Sequence, residues 1–142
     1  MKIIHRKTGA LLLEVPGNTL SGAKLRHMQL PGAMLSGMNL AEADLYCANL
    51  EGADLYGANL RGAFLHGTYL QYADLRYADL RDTNLCNCDL HGADMRGARV
   101  QGAYMQCAHL WKTNVDGADF TGATGTVHRV EVPKSWDTVE DI

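Results

Sequence analysis

The chain has 142 residues, a net charge of −3 and 20% charged residues, which is the composition of one ordinary domain-sized unit. This balance excludes a strongly basic nucleic-acid binder and a strongly acidic chain. The first apolar run is only four residues long and ends at Glu14, so the sequence predicts neither a signal peptide nor a membrane span.

Residues 1–17 predict a β-hairpin. Two short apolar runs, 3–4 and 11–15, flank a turn that contains Gly9, and this arrangement is typical of two paired strands. Arrays of stacked repeats need atypical units at their ends, because an end repeat exposes its core. We therefore expect this hairpin to cap the repeat array that follows it.

A repeat of five residues occupies residues 18–124. Every fifth position from 20 to 120 is apolar, and sixteen of these 21 positions are Leu. The position two residues earlier is Ala in fifteen of 21 cases. A period of five fits neither an α-helix nor a long alternating strand. We infer that these two columns point inward and that the other three positions of each repeat point outward.

The period also predicts the shape of the array. Three residues that point in, out and in form a minimal strand, and the two remaining residues, often including Gly, form a turn. Four such edges close a square whose opposite walls are about 10 Å apart, the usual separation of packed sheets. The sequence therefore predicts 20 residues per coil. Residues 27, 47, 87 and 107 lack Gly, which indicates that one corner of the coil uses a different turn.

The pattern of Ala, then Asp or Asn, then Leu and two variable residues resembles that of the pentapeptide-repeat proteins. The resemblance implies an all-β fold, a right-handed quadrilateral parallel β-helix, with about five coils of 20 residues here. Residues 125–142 follow the repeat and are predicted to form a C-terminal cap or tail. Within them, 127–132 reads as a last strand and Ser135 as the start of a helical turn. A homodimer through a terminal cap is one expectation for this segment.

No catalytic, cofactor or metal site is predicted. The six His residues are scattered, and the sequence contains neither a glycine-rich phosphate loop nor a paired-His metal motif. The four Cys residues lack metal-site spacing, and we expect reduced thiols and a cytoplasmic location. Surface metal binding or redox chemistry at these thiols is the alternative. The chain is therefore predicted not to be an enzyme and to need no cofactor.

One outward column is acidic. Asp54, Asp74 and Asp94 are spaced by 20 residues and Asp116 belongs to the same face, so neighbouring carboxylates repel unless Arg76 and Arg96 offset them. In one interpretation these Asp residues only support the turns of the repeat. In the other, the face imitates DNA phosphates, because some pentapeptide-repeat proteins bind DNA gyrase as DNA mimics.

A second candidate surface is aromatic. Aromatic residues are enriched in interaction hot spots, and exposed apolar patches often mark partner sites. The alternative is that tyrosines simply tolerate a β surface and stack on their neighbours. The candidate partner surface consists of Tyr46, Tyr56, Phe64, Tyr69, Tyr72 and Tyr77.

Three functions follow from these surfaces. The first is a non-enzymatic β-solenoid that presents rigid faces to an unidentified protein partner, with no direct binding of nucleic acid. The second is a DNA mimic that binds gyrase. The third is a purely structural solenoid without a dedicated partner.

Overall fold

Square coils and four short strands make up the protein in the computed structural model, which describes residues 1–128 and 140–141. The strands are β1 (Lys2–Ile4), β2 (Leu11–Glu14), β3 (Thr126–Val127) and β4 (Glu140–Asp141). Within these described ranges no helix has the length and apolar character needed to cross a membrane.

The coils stack in parallel with a spacing of 20 residues. Residues that precede the buried centres form single parallel bridges with the residue 20 positions later, from Lys24↔Asp44 to Tyr104↔Thr124. Backbone hydrogen bonds join the layers, as where the Leu45 N–H donates to the Phe64 carbonyl at 2.9 Å. The prediction of a quadrilateral parallel β-helix is confirmed.

The two inward columns fill the interior of the coils. Central residues 20–120 are at most 4% exposed, and the Ala column is buried through the middle coils. Polar residues in the Ala column use a spare acceptor. The Thr68 hydroxyl donates to the Leu45 carbonyl at 2.8 Å, which already accepts the Ala48 N–H at 2.9 Å. A carbonyl oxygen has two lone pairs, so both donors are satisfied.

All four corners use the same turn. The second turn residue has a left-handed φ between 52° and 71° at every corner from residue 22 to residue 122, whether or not it is Gly. Its N–H donates to the next coil, as Cys47 does to the His66 carbonyl at 3.0 Å and Gly57 to the Arg76 carbonyl at 2.9 Å. The prediction of a different turn at one corner is therefore wrong, because this hydrogen bond sets the turn irrespective of the side chain.

The N-terminal hairpin is attached to an early coil. Strands β1 and β2 pair antiparallel, with a register irregularity between Ile3 and Ile4. The Met34 N–H donates to the Ile4 carbonyl at 2.9 Å, and Ile3 is buried in the core. The two strands lie where the sequence predicts them, whereas the division into segments 1–17, 18–124 and 125–142 stays a prediction.

The repeat loses one residue near its C-terminal end. Tyr104 pairs with Thr124, 20 residues later, but His109 pairs with His128, only 19 residues later. The slip occurs at Gly125, whose φ is +112° and where a Cβ atom would lie 2.5 Å from the Gln106 nitrogen. Strand β3 then pairs in parallel with β4. Most of the predicted strand 127–132, the helical turn at Ser135 and most of the predicted cap lie outside the described residues.

Candidate functional site

The outward residues sort onto four faces. Each face carries a column before the buried centre, a column after it and a corner column. We number the faces from the one that contains Asn39 and Asn59. The second face, next along the chain, presents Lys24, Asp44, Phe64, Asn84 and Tyr104 before the centre, and Arg26, Tyr46, His66, Cys86 and Gln106 after it.

The six predicted aromatic residues lie on three different faces. Tyr46 and Phe64 belong to the second face. Tyr69 and Tyr72 belong to the third, where the Tyr72 ring meets His91 at a centroid distance of 5.3 Å. Tyr56 and Tyr77 belong to the fourth and contact each other at 5.6 Å. The structure therefore separates them into clusters, and their role in binding stays a prediction.

The second face carries a groove with a volume of about 380 Å³. It is lined by Arg26, Asp44, Tyr46, Phe64, His66 and Asn84. One wall is a continuous stack, in which the Arg26 guanidinium lies 4.6 Å from the centre of the Tyr46 ring and the His66 ring stacks on its other side at 5.5 Å. On the opposite wall the Phe64 side chain is 55% exposed.

Corner residues brace the stacked wall. The His27 ring meets Tyr46 edge-on at 5.5 Å, and the Asn87 Nδ2 lies 3.4 Å from His66 Nε2. Both corner residues have a left-handed φ, a conformation that disfavours side chains with a Cβ. Strained residues often cluster at functional sites. The missing corner glycines were visible in the sequence, but they mark these braces rather than a different turn.

Sequence reasoning missed most of this groove. Arg26, His66, Asn84 and the two braces carry no sequence motif, because each contacts a residue about 20 positions away. The one available signal was the 20-residue spacing of Arg26, Tyr46 and His66, which places three flat groups in register.

The acidic column exists, but most of its charge is paired. Asp54, Asp74 and Asp94 bridge in succession, whereas Asp116 lies in the column after the centre. Arg76 Nη2 donates to Asp74 Oδ2 at 2.6 Å, and Arg96 repeats this contact with Asp94. These hydrogen bonds lower the pKa of Asp74 and of Asp94.

The same carboxylates support the turns of the repeat. The Asp54 Oδ1 accepts the Tyr56 N–H at 3.1 Å, and the Asp74 Oδ1 accepts the Arg76 N–H at 3.2 Å. Asn59 does the same for Arg61 at 3.1 Å, so the role does not require charge. Among the described residues, no basic side chain forms a salt bridge with Asp54.

The remaining reactive groups form no metal or catalytic arrangement in the described part of the chain. No three His, Cys, Asp or Glu side chains of residues 1–128 are placed to hold a metal ion. Cys88 is fully buried, its thiol donates to the Leu65 carbonyl, and burial raises its pKa. Cys47, Cys86 and Cys107 are half-buried, free thiols. A second concavity of about 480 Å³ lies between the hairpin and the third face, lined by His5, Arg6, Lys7, Pro31, Gly32, Glu51, Gly52 and Tyr72.

Comparisons with known proteins agree with this architecture. A family model described as pentapeptide repeats matches in eight copies, over residues 19–55, 48–87, 63–102 and 87–122. A search of curated protein sequences found no match.

Solved structures show the same fold. A pentapeptide repeat protein from the cyanobacterium Cyanothece 51142 is 31% identical with a TM-score of 0.62, and the match covers 73% of this chain and 65% of that protein. One from the thylakoid lumen of Arabidopsis thaliana is 31% identical with a TM-score of 0.58, covering 83% and 72%. QnrB1, a plasmid-mediated fluoroquinolone resistance protein, has a TM-score of 0.61 at 22% identity, covering 76% and 60%, and this likeness shows the fold alone.

Proposed function

Because the chain belongs to the pentapeptide repeat family, and because its inward columns are filled by packing residues, we propose that its function lies on an outward face. The proposed function is that of a non-enzymatic β-solenoid that binds a protein partner through the groove of the second face. The observation that carries this proposal is Phe64, which is half exposed opposite a braced Tyr46–His66 wall.

A rigid aromatic groove suits protein recognition for a thermodynamic reason. Binding normally costs free energy because interface side chains lose rotamer freedom, about 0.5–1.5 kcal/mol for each immobilised chain. Here Tyr46 is already held between Arg26 and His66, so less ordering remains to be done. Aromatic and Arg side chains are also the residues most enriched in binding hot spots.

Phe64→Ser tests the proposal, with Tyr69→Ser as the matched control. Tyr69 occupies the equivalent position on the next edge of the same coil and is 50% exposed, so both changes remove an outward ring without touching the core. Wild type and both variants are used to capture proteins from a lysate of the native host, with quantitative mass spectrometry as the readout. We expect Phe64→Ser to lose proteins that wild type and Tyr69→Ser retain. Identical capture by all three would refute the groove.

Two alternatives rank below this proposal. The DNA-mimic alternative is supported by the stacking of Asp54, Asp74 and Asp94, but Arg76 and Arg96 pair with two of these carboxylates. A purely structural role predicts that neither aromatic variant changes any captured protein. A cytoplasmic location and a homodimer through a terminal cap stay predictions.

A further inference from the structure

The charge of the second face indicates which class of segment its groove binds, an inference that rests on the proposed function. We propose that the occupant is a peptide segment that carries a large apolar side chain next to a carboxylate. The apolar side chain enters between Phe64 and the Tyr46–His66 wall, and the carboxylate faces Arg26 and Lys24.

The second face differs from the other three in its charge. It carries two basic residues, Lys24 and Arg26, and one acidic residue, Asp44. Acidic residues outnumber basic ones on each of the other faces among the described coil residues. The first face has four against three, the third has two against one and the fourth has four against two. An acidic segment is therefore attracted to the second face and repelled elsewhere, which favours complementary binding there.

The basic groups of this face are available to a ligand. Arg26 Nε is 3.7 Å from Asp44 Oδ2, and the Arg26 side chain is 55% exposed. So exposed and long an ion pair contributes little to stability and leaves most guanidinium donors free. Lys24 forms no salt bridge with any described residue. Both groups lie at the N-terminal end of the groove, whereas Asn84 at the other end is neutral.

The width of the groove selects a side chain rather than a backbone. Its walls are the columns on either side of the buried centre, so their Cα atoms are two residues apart on one strand, or about 6.6 Å. Such a gap admits one side chain between the walls. The volume of about 380 Å³ is at the small end of the range of roughly 300–1,000 Å³ for ligand sites.

A nucleic acid fits these features less well. Aromatic rings do stack on bases, but a bound strand places a phosphate at every nucleotide and binds mainly through Lys and Arg contacts to them. This face offers two cations at one end only. Its Phe64, Asn84 and Tyr104 column continues without a basic residue.

The test begins with a phage-displayed library of random twelve-residue peptides. The library is selected on wild type and, in parallel, on Phe64→Ser, and the most enriched peptides are synthesised with a fluorescent label. We expect the Phe64-dependent peptides to combine an acidic residue with an aromatic or large aliphatic one. In anisotropy titrations, Arg26→Glu should weaken their binding about tenfold or more, because like charges then meet. Lys112→Glu, which removes a cation stacked on Trp111 of the third face, should leave binding unchanged.

The outcomes separate this inference from the proposed function. Phe64-dependent peptides that are basic or neutral, and that bind Arg26→Glu as well as wild type, overturn the inference and leave the groove as a protein site. The absence of any Phe64-dependent peptide overturns both. Binding of a labelled oligothymidine that requires both Phe64 and Arg26 would assign the groove to single-stranded nucleic acid and overturn the inference too.

Discussion

Each inward alanine lies where a larger side chain has no space. Ala58 is 0% exposed, its N–H donates to the Leu55 carbonyl at 3.0 Å, and the next N–H, of Asn59, donates to the Met38 carbonyl of the preceding coil at 2.9 Å. The backbone on both sides of Ala58 is therefore fixed by hydrogen bonds. A bulkier residue there can be accommodated only by breaking contact between coils.

Ala58→Leu should destabilise the protein, because added methylenes in a filled core cost about 1–3 kcal/mol. Ala41→Leu is the control, since Ala41 lies in an outward column and is only half-buried. Urea unfolding followed by circular dichroism should give a lower midpoint for Ala58→Leu and a nearly unchanged one for Ala41→Leu. Equal midpoints for the two variants would contradict the assignment of the inward columns.

At this scale the sequence predicts direction but not contact. The period of five places Ala58 and Leu55 inside and Phe64 outside, and the structure confirms all three. It also predicts that Asp54 supports a turn, because the bonded N–H is only two residues away. It does not predict that Asn87 turns onto His66. That contact depends on side-chain rotamers in two neighbouring coils, which no local pattern encodes.

Corner elements follow a rule that links adjacent coils. A non-glycine residue in the left-handed corner position leans over the residue 20 positions later, and that residue is usually Gly. A Cβ atom on Gly92 would lie 2.6 Å from the Tyr72 ring, and one on Gly97 would lie 2.6 Å from the Tyr77 ring. The corners of the second face at His27 and Asn87 are exceptions, since Cys47 and Cys107 follow them. These two side chains turn onto the groove wall instead.

Gly97→Ala should therefore cost more stability than Gly57→Ala. Both glycines lie at the same corner with similar φ, +68° and +62°, but no atom lies within 4 Å of a Cβ on Gly57. We expect about 1 kcal/mol of backbone strain for Gly57→Ala and a larger loss for Gly97→Ala, measured as the free energy of unfolding. In the Tyr77→Gly background the penalty of Gly97→Ala should fall to that of Gly57→Ala. A penalty that ignores Tyr77 would disprove the rule.

A second recurring element is the Asp-x-Arg pair of the outward columns. Arg76, Arg81 and Arg96 each donate to the Asp two residues earlier at 2.6 Å, and these bonds lower the pKa of Asp74, Asp79 and Asp94. A carboxyl whose pKa is lower when folded contributes stability above its unfolded pKa. That contribution disappears as the pH falls through the folded pKa.

Replacing the three arginines with Gln should flatten the acid limb of the stability profile. Wild type should lose stability as the pH falls below the ordinary Asp value of 3.8, and the triple variant should lose less over that window. Urea midpoints at pH 7, 4 and 2.5 measure this difference. Arg61→Gln is the control, because its bond to Asp82 joins two well exposed side chains. An equally steep loss in the triple variant would show that these pairs do not set the acid response.

Elements were predicted unevenly for physical reasons. The hairpin strands follow from short apolar runs, and β1 and β2 lie within the predicted segment. The lost residue at Gly125 could not be predicted, because it depends on the close approach of that residue to Gln106 of the neighbouring coil. The corner turn was predicted wrongly, since residue preference was taken as the determinant of a conformation that inter-coil hydrogen bonding dictates.

Across the whole molecule, charge and aromatic groups are displayed on different sides. The second face joins a cationic end to an aromatic groove, whereas the fourth face holds the acidic column. The coils hold these sides apart through a continuous ladder of hydrogen bonds. The period of five predicts this architecture, but which face binds depends on residues that the repeat leaves free. The fold is therefore predictable in more detail than the site.

The charge pairing of the fourth face decides the DNA-mimic alternative. A mimic needs rows of free negative charge, and of the three stacked carboxylates Asp74 and Asp94 are bound by Arg side chains. We therefore expect the wild-type protein not to inhibit DNA supercoiling by gyrase at micromolar concentration. Freeing the carboxylates through Arg76→Gln and Arg96→Gln is the matched comparison, because it adds two net negative charges to the same face. If the wild type did inhibit, and if Asp54→Asn, Asp74→Asn and Asp94→Asn together abolished inhibition without unfolding the coils, the acidic column rather than the groove would be the functional face.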